Sequence, residues 1–328
     1  MHLLLSLSLA LAAPPPDAGI TRDLDGGFDP ADPATWHLSA KLGKVSALRA
    51  ALVGDLTAPA TDGGTGEQPL TADEANALLD DPRADLVYGD KTVSIVAPSM
   101  AARHRQEHLD LLKLMLTPER LDAGVAFAQH RAEVLERVEK KTGVAREVIV
   151  SILMWETKLG TITGDFQAFN AFTSQLYFID EANAVALGRK EEQRLLDKAK
   201  QAAKVESIRA RAKKNLLALA RQCKSKGIDA LAVKGSWAGA IGYPQFMPAS
   251  LKWADDGNGD GKIDLFDFDD SIASVGRYLA EHGYAQSRNR AVWDYNHEEA
   301  YVAGVLAYAD ALKAARLGDG GAAPARKK

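Results

Sequence analysis

The sequence predicts a mainly α-helical protein, and two observations support this fold class. From about residue 100 onward, apolar residues recur at intervals of three and four, as at Leu109, Leu112 and Leu116, which is the period of an α-helix. Several of these runs also begin and end at residues that commonly cap helices. Strand-like sequence is confined to one short stretch of this half, so we expect helices to build the core.

The composition is that of an ordinary globular protein. The chain has 328 residues, of which 46% are hydrophobic, enough for one large domain or two small ones with a sizeable core. A formal net charge of −4 argues against general nucleic-acid binding. The single cysteine, Cys223, cannot form an internal disulfide. We expect a monomer without an organic cofactor.

Residues 1–12 are typical of a signal peptide. A short apolar run from Leu3 to Leu11 ends in Ala10-Leu11-Ala12, which fits the small residues of a cleavage site. The run is too short to span a membrane, and we expect no spanning segment elsewhere. No cysteine follows that could carry a lipid. The prediction is a cleaved secretory signal and a periplasmic or secreted protein; the alternative is a mis-chosen start or an apolar tail.

Residues 13–95 are predicted to be partly linker-like. One amphipathic helix is expected within 36–56, and 57–68 has the composition of a linker. Residues 85–96 are rich in β-branched side chains around Gly89-Asp90, a turn signal, and predict a β-hairpin.

Between that linker and the expected hairpin, a capping box predicts a short helix. Thr71 stands at the N-cap and Glu74 three residues later. The helix should run to about Leu79 and stop before Pro82.

Two further helices are expected before residue 160. Thr117 and Pro118 form a helix start, and the helix should continue to Lys141 and stop at Gly143. The next, over 146–158, is apolar on most faces, which indicates a buried helix.

The C-terminal half also has a helical pattern. A long charged helix is expected over 190–226, whose basic residues form either a solvated face or a surface towards an anionic polymer. Further helices are expected over 270–282 and 298–316, followed by a disordered tail at 318–328.

Glu156 is the strongest candidate for catalysis. It follows Ile152 and Leu153 by one turn and stands beside Trp155, so its carboxylate should have lost water. It also lies at the negative end of the helix dipole. Both effects disfavour the anion and should raise the pKa, as a general acid requires. The alternative is an ordinary helix-end glutamate paired with Lys158.

The stretch from Asp256 to Asp264 fits the first half of an EF-hand loop. Its pattern places oxygen donors at alternate residues and a glycine, Gly261, at the sharp turn, which suits calcium. Position 12 is Asp267, where a glutamate is usual, so closure by Asp269 or Asp270 stays open. The alternative is a glycine-rich turn that binds no metal.

A third motif is weaker. His104, Glu107 and His108 fit H-x-x-E-H, a zinc-peptidase signature that places two histidines one helical turn apart. So short a pattern arises by chance, and no third ligand stands out nearby.

The linked motifs WETKLG and GSWAGAIGYPQFMPASLKWADDGNGDGKIDLFD together resemble the membrane-bound lytic murein transglycosylase B family. The resemblance extends from about Leu116 to Leu312. It implies a lysozyme-like α+β fold with a small β element at the EF-hand-like loop, and a catalytic domain over 96–317.

The resemblance also implies roles for individual residues. Glu156 corresponds to a single catalytic acid and base. The implied sugar contacts are Ser236, Tyr243, Gln245, Tyr295, Asn296 and Tyr301. The implied structural calcium ligands are Asp256, Asn258, Asp260, Lys262 and Asp270.

The function implied by the resemblance is cleavage of peptidoglycan between N-acetylmuramic acid and N-acetylglucosamine, with formation of a 1,6-anhydro ring. A glycosidase of the usual kind needs two carboxylates, and no partner for Glu156 stands out in the sequence. Two alternatives stay open: a hydrolytic muramidase, and a non-catalytic peptidoglycan-binding protein on the same scaffold.

Overall fold

The computed structural model describes residues 28–59, 68–98, 113, 115–189 and 197–318. These residues form a helical protein with one small sheet. The helices are α1 Leu38–Lys44, α2 Ser46–Thr57, α3 Ala72–Asp80, α4 Gly89–Val96, α5 Pro118–His130, α6 Ala132–Thr142, α7 Arg146–Thr157, α8 Ala168–Tyr177, α9 Ile179–Gly188, α10 Lys198–Lys226, α11 Phe268–Glu281, α12 Arg288–Tyr295 and α13 Glu299–Gly318. Short 3-10 helices cover Pro33–Thr35, Pro82–Asp85 and Pro248–Trp253. The strands are β1 Phe166–Gln167 and β2 Lys234–Gly235.

Helix α7 is the central element of the fold. Ten of its residues are buried, and it packs against α5, α6, α11 and α13. Such an all-round apolar helix must be enclosed by others, which confirms the expectation for this segment. The approach of α13 is close at Gly304, where a Cβ atom would lie 2.1 Å from Cζ2 of Trp155. No side chain larger than hydrogen fits between the two helices there.

The N-terminal region shares the hydrophobic core of the rest of the protein. Trp36, Leu56 and Val93 are fully buried in the same cluster as α7. Helix α4 packs against α9, and α2 packs against α10. The core is therefore continuous across the boundary expected near residue 95.

Helix starts and stops follow local sequence closely. The predicted capping box is present: Thr71 Oγ1 accepts from Glu74 N, and Glu74 Oε2 accepts from Thr71 N at 2.7 Å. Gly143 ends α6 in the left-handed region, as expected for a glycine C-cap.

The predicted hairpin over 85–96 is wrong. Residues 89–96 form α4, whose Val93, Ile95 and Val96 are buried. Packing against α9 outweighs the strand preference of these β-branched residues, since such preferences are weak and depend on context.

Two predicted helices are each divided in two. The helix expected over 36–56 breaks at Val45, which leaves the helical region. The helix expected from Pro118 to Lys141 breaks at Arg131, whose φ is −107° and ψ is 23°. The Arg131 guanidinium is held there by Asp269 at 2.8 Å and lies over the Phe268 ring. A tertiary ion pair thus favours a bend that the helical pattern does not reveal.

The small sheet lies in a different place from the expected one. β1 and β2 pair antiparallel, with Phe166 opposite Gly235 and Gln167 opposite Lys234. The EF-hand-like loop holds no described strand, and Ile263 is 41% exposed. Side-chain oxygens of Asp256, Asn258 and Asp260 accept from backbone N–H groups in the loop, which replaces ladder hydrogen bonds by local turns.

Candidate active site

A cavity of about 540 Å³ opens beside the C-terminal end of α7. Its walls are formed by β1, α10, the loop over 236–250 and the end of α12. The lining includes Glu156, Phe166, Arg211, Ser236, Gln245 and Tyr295. A concave site of this size suits a small molecule or part of a polymer.

Glu156 reaches this cavity because α7 stops immediately after it. Lys158 and Leu159 both adopt positive φ, at 50° and 53°, and Gly160 follows at 82°. Thr157 fixes the turn, since its hydroxyl donates to Tyr243 O at 3.0 Å and accepts from Gly160 N at 3.0 Å. Left-handed backbone at two non-glycine residues is costly, and it persists here because the surrounding contacts hold it.

Burial controls the chemistry of Glu156. Loss of water raises the pKa of its carboxyl group from 4.5 to about 7. The opposing contribution comes from Tyr301, whose hydroxyl donates to Oε1 at 2.5 Å. The raised pKa expected from the apolar helix is therefore present, and the group can hold or release a proton near neutral pH.

A pair of tyrosines lies beside the acid, Tyr295 on the cavity wall and Tyr301 behind Glu156. The rings of Tyr295 and Tyr301 are parallel within 7°, with centroids 6.5 Å apart. Tyr295 donates its hydroxyl hydrogen to Pro244 O at 2.5 Å, which ties α12 to the opposite wall. Burial, reinforced by the charge of Glu156, raises the pKa of both phenols well above the usual value. Both stay protonated and act as hydrogen-bond donors.

The loop over 235–246 forms the wall opposite α12. Ile241 and Phe246 exchange backbone hydrogen bonds at 2.8 and 3.0 Å, which closes a tight turn. Ser236 Oγ accepts from Ala240 N at 3.1 Å. Gln245, at φ 50°, donates to Thr163 O and Gly242 O. Both side chains face the cavity from a preorganised backbone.

The structure brings most of the predicted site residues together, with two exceptions. Glu156, Ser236, Gln245, Tyr295 and Asn296 all line the cavity. Tyr301 lies behind Glu156 and is 3% exposed.

Tyr243 is also absent from the cavity lining, so its prediction as a sugar contact is not supported. Its ring stacks on Phe268 with centroids 4.1 Å apart, and its N–H donates to Leu265 O. The geometry gives Tyr243 a packing role.

Sequence reasoning missed the contribution of two walls. Phe166 of β1 lines the cavity and is held by Tyr88, whose ring meets it edge-on at 5.0 Å. Arg211 and Lys214 line it from α10. Their spacing of three residues predicts that Arg211 and Lys214 lie on one face of α10. No nearby residue in the sequence indicates that this face lines the cavity.

Among the described lining residues, one other carboxylate is present. Asp294 holds the Arg290 guanidinium through both oxygens at 3.0 Å. It is therefore engaged in an ion pair, whereas the side-chain partner of Glu156 among the described residues is the Tyr301 phenol.

The EF-hand-like loop folds around Asp270, which is 1% exposed. Its Oδ1 accepts from Gly257 N at 2.8 Å and its Oδ2 from Asp264 N at 2.7 Å. Asp267 instead caps α11 by accepting from Asp269 N and Asp270 N. Of the possible closing residues, Asp270 alone turns back into the loop through both oxygens.

The donor set of this loop fits a hard cation by its chemistry. Carboxylate, amide and backbone oxygens are what calcium prefers. In the described part of the chain, however, no three acidic, imidazole or thiol groups converge on one point. The side chains of Asp256 and Asp260 accept from backbone N–H groups within the loop.

Three other predictions fall on residues that the structure does not describe. The zinc-peptidase motif at 104–108, the signal peptide at 1–12 and residues 319–328 of the tail lie outside them. Within the described residues, no helix combines the length and apolar character that crossing a bilayer requires.

Known proteins share this fold. The soluble lytic transglycosylase SltB1 of Pseudomonas aeruginosa superposes with a TM-score of 0.60 at 22% identity, over 82% of this chain and 99% of that one. SltB3 of the same organism, in complex with NAG-anhNAM-pentapeptide, gives a TM-score of 0.58 at 19% identity, over 82% of this chain and 79% of that one. These matches confirm the lysozyme-like fold class.

Sequence comparison identifies the family. The membrane-bound lytic murein transglycosylase B of Escherichia coli K12 is 32% identical over 181 residues, which are 55% of this chain and 43% of that protein. The match thus spans less than half of that relative's length. The profile of the transglycosylase SLT domain matches residues 67–293, more than half of this chain. The chain belongs to the transglycosylase SLT domain family.

Proposed function

We propose that the protein is a peptidoglycan lytic transglycosylase in which Glu156 alone serves as acid and base. The observation that carries this proposal is a carboxyl group with a pKa of about 7 on the wall of a cavity that is large enough for part of a polymer. Membership of the transglycosylase SLT domain family supports the same activity. The relative in E. coli is named a murein transglycosylase, and SltB3 binds a disaccharide peptide with an anhydro sugar.

The proposed reaction begins with proton transfer from Glu156. The protonated carboxyl gives its hydrogen to the glycosidic oxygen, and the bond from that oxygen to the muramyl anomeric carbon breaks. The sugar oxygen that leaves becomes a hydroxyl group. The carboxylate that remains is close to a developing positive charge at the anomeric carbon, which it stabilises.

The second step uses a nucleophile from the substrate. The muramyl 6-hydroxyl attacks the anomeric carbon, and Glu156 takes the hydroxyl proton, which restores the acid. A ring forms and no water is consumed. One carboxyl group is sufficient for both transfers, which agrees with the engagement of Asp294 by Arg290. Ser236, Gln245 and Asn296 would position sugar hydroxyl and acetamido groups.

Digestion of purified peptidoglycan tests this proposal directly. Wild-type protein is expected to release muropeptides that end in 1,6-anhydromuramic acid, and Glu156→Gln is expected to release about a thousandfold less or lower still. Mass spectrometry separates these from reducing-end products, which are heavier by one water. Reducing-end products would indicate a hydrolytic muramidase, and binding without release would indicate a non-catalytic protein.

We also propose that the loop over 256–270 binds one structural calcium ion. The ligands would be the side chains of Asp256, Asn258, Asp260 and Asp270 and the carbonyl of Lys262. The ion would neutralise clustered carboxylates and so stabilise the start of α11.

Calcium should raise the melting temperature by several degrees, and a chelator should lower it again. Activity should fall only as a consequence of this loss of stability. Asp260→Ala should abolish the calcium response. Asp255→Ala is the control, because Asp255 stands just outside the donor set and pairs with Lys141. If neither calcium nor a chelator changes the melting temperature of the wild type, the assignment of a calcium site is contradicted.

For location we propose the cell envelope, reached by a cleaved signal peptide at 1–12, because peptidoglycan lies outside the cytoplasmic membrane. Fractionation of cells and N-terminal sequencing of the mature protein test this. We propose a monomer as the working state, which light scattering measures. Recovery of the uncleaved chain in the cytoplasm would contradict the location.

A further inference from the structure

Arg211 lies in the wall of the cavity and pairs with no acidic side chain among the described residues. It lies near the middle of α10, and its side chain is partly buried. Its Nε atom is fully buried and has no hydrogen-bond partner among the described residues. Its recorded side-chain contact is a long one, from Nη2 to Gln175 Oε1 at 3.5 Å. No described carboxylate pairs with it, although guanidinium groups in proteins are normally paired when buried.

Burial of this guanidinium has an energetic cost. Loss of water lowers the pKa of Arg211 from 12.5 to about 10. The group is still protonated at neutral pH, so the cavity wall holds a full positive charge that no described carboxylate compensates. A charge held in this way is destabilising unless a ligand supplies the missing anion.

Neighbouring cations on α10 show that pairing is available elsewhere on the same helix. Arg209 binds Asp180 at 2.8 Å, and Lys213 binds Asp55 at 2.6 Å. Lys214, three residues after Arg211, also lines the cavity, and no ion pair is recorded for it in the described structure. Arg211 and Lys214 thus have no acid partner among the described residues, unlike Arg209 and Lys213 beside them.

The backbone under Arg211 is held in place. Asn215 donates from Nδ2 to Arg211 O at 2.9 Å, and its Oδ1 accepts from Ala249 N at 3.0 Å. These bonds connect α10 to the short helix at Pro248–Trp253. The backbone that carries the guanidinium is thus fixed, so a ligand would not have to order this part of α10 when it binds.

We propose that Arg211, with Lys214 beside it, forms a subsite that binds a carboxylate of the peptide stem carried by muramic acid. This rests on the proposed function. The N-acetylated sugar rings are uncharged, so the anionic groups of an intact strand lie on its peptide stems. A planar guanidinium matches a carboxylate in geometry as well as charge. The protein should therefore prefer strands that still bear peptides.

The test compares ligands with and without the peptide. Affinity is measured by calorimetry for a disaccharide–tetrapeptide and for the peptide-free disaccharide, whose lactyl carboxylate is then free. Turnover is measured on intact strands and on strands stripped by an amidase. Arg211→Gln should weaken binding and lower kcat/KM about tenfold for the peptide-bearing forms, and change the peptide-free forms less than about twofold.

Matched variants separate this from a general loss of charge. Arg209→Gln removes one positive charge from the same helix outside the cavity, and should leave the preference for peptide unchanged. Arg211→Lys should keep part of that preference. Arg211→Gln should melt no lower than wild type, since it removes an uncompensated buried charge.

Two outcomes would overturn the subsite. If Arg211→Gln weakens binding equally with and without the peptide, Arg211 recognises the glycan or its lactyl group. If it weakens binding to neither ligand, Arg211 does not contact the substrate. If the wild type cleaves neither kind of strand, the proposed function fails. The calorimetric comparison of the two disaccharides still decides whether Arg211 recognises the peptide.

Discussion

Glu147 and Glu156 stand at opposite ends of helix α7, and their surroundings differ in the properties that control a carboxyl group. Glu147 lies in the first turn, 7% exposed, and accepts from Arg316 Nε at 2.9 Å. Glu156 lies in the last turn, where the helix dipole is negative and its one recorded partner is the Tyr301 phenol. One helix therefore holds a paired anion at one end and an available acid at the other.

The difference shows that residue type and helix do not decide the chemistry of a carboxyl group. A positive partner and the N-terminal dipole stabilise a charge at position 147. Position 156 has neither a positive partner nor the N-terminal dipole, so burial keeps the Glu156 carboxyl group protonated up to nearly neutral pH. Replacing each carboxylate by an amide should therefore change stability in opposite directions. The effects of Glu147→Gln and Glu156→Gln on activity should also differ greatly.

Activity should show the largest contrast. Glu156→Gln should lower the release of anhydro-muropeptides about a thousandfold or more, the scale expected for loss of a general acid. Glu147→Gln should lower it less than about threefold, because Glu147 lies away from the cavity wall. Initial rates on purified peptidoglycan measure both. Comparable losses in the two variants would mean that activity reports the integrity of α7 and not the acid.

Stability should show the opposite signs, in a way that depends on pH. Because the folded pKa of Glu156 is raised above 4.5, its contribution is most favourable below that pH and is lost as pH rises towards and past about 7. Glu156→Gln should therefore gain up to about 3 kcal/mol of unfolding free energy at pH 8, and little at pH 4.5. Glu147→Gln should lose about 1 kcal/mol at pH 8, since Arg316 is half-exposed and can be solvated.

Urea titrations at pH 4.5 and pH 8 measure these differences. The matched Glu156 and Glu147 variants serve as controls for each other, because both replace a carboxylate by an amide in α7. A gain for Glu156→Gln that is the same at both pH values would contradict the raised pKa.

The smallest effect concerns the phenol beside the acid. The hydrogen bond from Tyr301 lowers the pKa of Glu156, so Tyr301→Phe should raise that pKa and move the alkaline fall of kcat/KM to higher pH. The rate at low pH should fall about threefold to tenfold, because the acid is less well positioned. A profile that moves to lower pH would contradict the assigned direction. Tyr308→Phe, which removes a phenol bound to Arg120 O, is the control.

Local sequence was sufficient for features whose causes are local. The capping box at Thr71, the glycine stop at Gly143 and the burial of α7 all depend on residues a few positions apart. The raised pKa of Glu156 also follows from its apolar neighbours along the helix.

Features with distant causes were not predictable in this way. Residues 89–96 form a helix because of packing on α9, and β1 pairs with a strand almost seventy residues away. Tyr301 meets Glu156 across 145 residues. The resemblance to a family indicated that tyrosine as a neighbour, but no periodicity places it on the acid. The break at Arg131 likewise depends on Asp269.

The hydrogen atom on Gly304 determines how close two helices can come. Helix α13 carries Tyr301 one turn before this glycine, and Trp155 of α7, which fills the space against it, directly precedes Glu156. A methyl group at 304 would act as a spacer between the helices and draw the phenol away from the acid. The proton affinity of the carboxyl group is thus linked to interhelical distance at a position outside the cavity lining.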